Sequence, residues 1–100
     1  MEMTQHYLAG ELSLLLARLQ AVASDQASAR SVWHLRREAE TGPLNALGSV
    51  VVRAFGLADG LCWESLRQGD STAFHSQATI GAELREFALC AGLLEEDEPL

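Results

Sequence analysis

The chain has no lysine, two cysteines, two prolines and six aromatic residues in one hundred positions. Each shortage narrows the reading. Without lysine, all basic charge rests on seven arginines against fourteen Asp and Glu, a formal charge of −7. Binding to nucleic acid or to an anionic membrane surface starts from a basic footprint, so neither partner is expected. The longest fully apolar stretches, such as Leu14–Ala17, fall far short of the roughly 20 residues that a membrane-spanning helix needs. The N-terminus has neither the basic start nor the long apolar segment of a secretory leader, and a cytoplasmic location is the expectation. Cys62 and Cys90 are too few and too far apart to define a zinc site or a disulfide framework. Two prolines are also too few for the frequent turns of a β-sandwich.

β-Branched residues are scarce as well. Val and Ile total six, and three of these are consecutive, Val50, Val51 and Val52. Leucine (17) and alanine (15) dominate instead, and both favour helix over strand. A chain of this length holds one domain with a modest core. The sequence therefore predicts an all-α domain over residues 1–94, followed by the acidic tail "EEDEPL" at 95–100.

Apolar periodicity sets out the helices. Leu8, Leu12, Leu15, Leu19 and Val22 recur at spacings of four and three, which predicts a helix over about 4–23. Ser24-Asp25 interrupts it, and a second helix follows over 26–41 with Val32, Leu35 and Ala39 on one face. No Glu or Gln completes a capping box after Ser24 or Asp25, so a single bent helix over 4–41 is the alternative. Gly42-Pro43 is a firmer boundary, because proline suits the first turn of a helix and not its interior. The stretch "VVVRAFGLADGLCW" at 50–63 raises the main question: strand and turn, or helix. Leu47, Val50, Val51, Ala54, Ala58, Leu61 and Cys62 keep one helical phase straight through Gly56 and Gly60. A strand would alternate, and a turn would have no reason to preserve that phase. A third helix is expected over 43–68, its small residues matched to a closely packed neighbour, with a break at Gly56–Gly60 as the alternative. Gly69-Asp70 then supplies a stop and a new N-cap, and a fourth helix is expected over 71–94. The whole is a four-helix up-down bundle.

Several helices carry more apolar surface than one core needs. A second stripe on the first helix includes Met3, Tyr7 and Leu14, and one on the third includes Val52 and Trp63. A monomeric bundle uses one stripe per helix; either central helices of a small, irregular bundle bury two faces, or these five residues are an interaction surface for a second copy of the chain or for another protein.

Chemistry-bearing patterns are sparse. His6, His34 and His75 form no Glu-x-x-His pair of the kind that builds a metal site in a bundle, and no metal or other cofactor is implied. Hairpin register puts Cys62 and Cys90 roughly 20 Å apart, too far for a disulfide. No nucleophile elbow, phosphate loop or dinucleotide fingerprint is present, so no enzyme is expected. Arg30, His34 and Arg37 share a face beside Trp33. That face suits an anion or an acidic partner, unless Glu40 neutralises it through pairs with Arg36 and Arg37. Gln77 falls in the core phase of the last helix. It either lines a polar pocket with Cys62 or bonds a neighbour such as Ser65. The expected function is a non-catalytic, homodimeric interaction or regulatory module. The alternative is a small-molecule-binding domain with its pocket near Gln77.

Overall fold

A computed structural model describes residues 2–93, with the side chains of 7–43 and 45–93. It contains four α-helices: α1 (Glu2–Ala21), α2 (Gln26–Thr41), α3 (Leu47–Gln68) and α4 (Ser71–Cys90). The connections are short, so successive helices run antiparallel and form an up-down bundle. The closest packing is within two hairpins, α1/α2 and α3/α4. Contacts of α2 with α3 and of α1 with α4 close the ring, and α1 also touches α3 across its short diagonal.

The chain breaks between α1 and α2, so the single bent helix does not occur. Asp25 is the reason. Its Oδ1 accepts the Ser28 backbone N–H at 2.7 Å, and the Ser28 hydroxyl donates to Oδ2 at 2.9 Å. The carboxylate thus caps α2 without the reciprocal Glu or Gln of a capping box, and the Ser28 hydroxyl holds its second oxygen in place. These bonds hold the Asp25 carboxyl below its ordinary pKa, the Ser28 backbone N–H first among them. At the end of α2, the Gly42 N–H bonds to the Glu38 carbonyl at 2.8 Å. A Cβ on residue 42 would stand 2.6 Å from that same oxygen, so only glycine fits.

The first helix, expected over about 4–23, spans Glu2–Ala21, and two further boundaries differ by four residues from the sequence expectation. Pro43 does not open α3: a single 3₁₀ turn, Leu44–Ala46, intervenes, closed by the Ala46 N–H on the Pro43 carbonyl at 2.9 Å. The final helix stops at Cys90 instead of 94. Gly92 takes the left-handed conformation (φ 72°), and the Leu93 N–H turns back to the Ala88 carbonyl at 2.9 Å. That termination costs nothing at glycine. The tail expected at 95–100 lies outside the described residues.

Residues 50–63 are helical throughout, and α3 runs unbroken past Gly56 and Gly60. The explanation by close packing does not hold for these two. Both are exposed, and a Cβ at either would meet nothing within 4 Å. Continuity comes from the opposite side of the helix. Leu47, Val50, Val51, Ala54, Ala58 and Leu61 are all buried, and their combined burial outweighs the helix cost of two glycines, about 2 kcal/mol. The core is completed by Leu12, Leu16 and Leu19 of α1, by Val32, Leu35 and Ala39 of α2, and by Ile80, Leu84 and Ala88 of α4. No helix of the described residues is long and apolar enough to cross a membrane.

Candidate interaction face

The α3/α4 hairpin positions the face of most interest. Gly69 ends α3 in the left-handed conformation (φ 75°), and the Asp70 carboxylate caps α4 by accepting the Ala73 N–H at 3.1 Å. The register of the two helices is marked by Gly81, where an added Cβ would lie 3.6 Å from the Ala58 Cβ. Behind the face, a polar lock ties the hairpin to the loop that follows α1. The Ser65 hydroxyl donates to Gln77 Oε1 at 2.7 Å, and Gln77 Nε2 donates to the Val22 carbonyl at 2.9 Å. Gln77 is fully buried and Ser65 nearly so. Of the two roles that the sequence left open for Gln77, bonding to Ser65 is the one its amide fulfils.

On the outer side, α3 and α4 enclose an elongated groove of about 500 Å³. One wall is Phe55, Cys62, Trp63 and Leu66 of α3, and the other is built by Phe74, Ala78 and Ala82 of α4. Gly81 and Gln77 also border it. Trp63 is 65% exposed, Leu66 56% and Val52 46%. Val52, three residues before Phe55, prolongs the α3 row. Two charges stand on the rim, Asp59 on α3 and Arg85 on α4. Burial pushes the Cys62 thiol above its ordinary pKa, and the Asp59 charge adds to this. The thiol is half-buried and free, as is the exposed Cys90. A thiol held in its neutral form is a poor nucleophile.

The other sequence candidates lie elsewhere. Tyr7 and Leu14 are exposed on α1 (65% and 64%), on the far side of the ring from α3, so they share no surface with Val52 and Trp63. Glu11 stands between them in the chain, and the neighbouring Arg18 is ion-paired to Glu83 of α4. The Met3 side chain is outside the described residues. On α2, the Arg37 guanidinium sits 5.5 Å from the centre of the Trp33 ring, a cation–π arrangement, and Arg30 has no ion-pair partner among the described residues. The pairs expected from Glu40 do not form. Glu40 accepts the Ser13 hydroxyl at 3.3 Å, and Arg36 donates to Gln20 at 3.1 Å. Glu38 is taken by Arg53 of α3, and this bond holds its carboxyl below the ordinary value. Among the described residues, no three His, Cys, Asp or Glu side chains group to hold a metal ion.

Sequence reasoning missed Phe55, Leu66, Asp59 and Arg85 as members of one face. The signal was hairpin register. Positions 58 and 81 face each other, so Asp59 and Arg85 lie on adjoining walls, about 7.5 Å apart along the helix axes. No family model, no curated protein and no solved structure matches this chain.

Proposed function

We propose that the chain is a non-catalytic helical module for protein–protein or regulatory association, and that it works as a homodimer. The observation that carries this is the exposed apolar row of α3, Val52, Trp63 and Leu66, beside an apolar groove. Exposed apolar side chains gathered beside a groove mark an interaction site, and tryptophan is a residue type enriched among interface anchors. The chemistry of the groove supports a binding role over a catalytic one. Its thiol is held neutral, and its amide is already bonded on both sides.

Light scattering coupled to size exclusion tests the reading. The native chain is expected at twice its 10.8 kDa, and at least one of Trp63→Glu, Val52→Glu, Tyr7→Glu and Leu14→Glu is expected to shift it towards the monomer. A native chain that stays monomeric at high concentration ends the proposal. A second reading rests on the size of the groove, which is that of a small-molecule site: an apolar ligand held between Trp63 and Phe74, near Cys62 and Gln77. Such a ligand would raise the melting temperature, and a metabolite screen by thermal shift addresses it.

A further inference from the structure

We infer that the α3/α4 face closes against the same face of a second copy, with Asp59 of each copy paired to Arg85 of the other. The inference rests on the homodimer reading and names its surface and its register.

Three of the described arginines, Arg18, Arg53 and Arg67, are ion-paired to Glu83, Glu38 and Glu64 within the chain. Arg85 and Asp59 have no such partner among the described residues, although both border the apolar groove between α3 and α4. One positive and one negative charge on the same face make that face self-complementary. A two-fold axis lying in the interface, along the perpendicular bisector of the line between them, carries each charge onto its opposite, and one operation forms two identical pairs. Trp63 and Leu66 then lose their exposure to water together with Phe55 and Phe74.

Net charge also selects this surface. Each copy carries −7, so two copies repel at long range. They approach most easily where local charge cancels, and it cancels here. The α1 face offers no such self-complementary pair: Arg18, close to Leu14 in the chain, is already ion-paired to Glu83.

The test uses two charge reversals of the full chain. Asp59→Arg sets two arginines against each other across the axis, twice per dimer. Arg85→Asp does the same with two aspartates. Each variant alone is expected to weaken self-association by about tenfold or more. Mixed in equal amounts, the two restore the dimer, because the heterodimer regains an opposite-charge pair at both ends. Each exposed substitution is expected to leave the circular dichroism spectrum unchanged, which separates lost association from lost fold. Cys62 gives an independent readout: its alkylation slows as native protein is concentrated, whereas that of Cys90 does not. If both single variants remain as dimeric as the native chain, or if mixing fails to rescue, this face or this register is wrong while the homodimer reading stands. A native chain that is monomeric overturns both.

Discussion

Gln77 has no exposed surface, yet both ends of its amide are bonded, one to Ser65 on α3 and one to the Val22 carbonyl beyond the end of α1. A buried amide stripped of a partner loses far more than the modest net gain of one hydrogen bond, because it cannot return to water. Ser65→Ala is therefore expected to destabilise the fold by about 1–3 kcal/mol, read from chemical denaturation. A loss within error would show that water or a shifted side chain replaces the hydroxyl. The same pair of bonds links α3, α4 and the loop that follows α1, so Gln77 serves as a fixed point behind the groove. Its place in the core phase was legible in the sequence, and so was Ser65 as a partner. Val22 was not, since its carbonyl belongs to a loop whose path no periodicity specifies.

α3 is the clearest case of packing overriding local preference. Three valines in a row favour strand and two mid-helix glycines favour a break, but six buried apolar residues on one face hold 22 residues in a single helix. Nothing in the structure requires glycine at 56 or 60, where added methyl groups would meet open space. Gly56→Ala and Gly60→Ala are each expected to stabilise the protein by about 1 kcal/mol, raising the midpoint of thermal unfolding. A fall in either case would mean that the exposed side of α3 is covered in solution. At the helix ends, the sequence located breaks within a few residues and misplaced their form. The 3₁₀ turn at Leu44–Ala46 and the early stop before Gly92 depend on where the chain must turn to pack. A proline or glycine permits such a turn without fixing its position.

The four helices share their stability through caps and cross-helix bonds, and this gives the bundle a pH dependence. Asp25 and Glu38 both have folded pKa values below their ordinary 3.8 and 4.5, from the Ser28 backbone N–H and the Arg53 guanidinium respectively. A depressed carboxylate contributes fully above its unfolded pKa and loses that contribution as the pH falls through the folded one. The melting temperature is therefore expected to drop progressively below about pH 4.5. In Asp25→Asn with Glu38→Gln the acid limb flattens, with asparagine keeping the α2 cap. An acid limb identical to that of the native chain would assign the loss to other carboxylates.

What the sequence determined by itself was the class of the fold, the number of helices and the phase of each buried stripe. All three follow from spacing along a helix, and spacing is local. It also flagged Tyr7, Leu14, Val52 and Trp63 as apolar residues beyond what one core requires, and each is exposed. Only the tertiary structure decided that these four divide between opposite sides of the ring, that Glu38 and Glu40 turn away from the arginines of α2, and that Phe55, Leu66, Asp59 and Arg85 meet around one groove. The physical reason is geometric. Periodicity gives the direction of a side chain about its own helix axis, whereas a shared face depends on where the neighbouring axes stand and how far each is slid along the other.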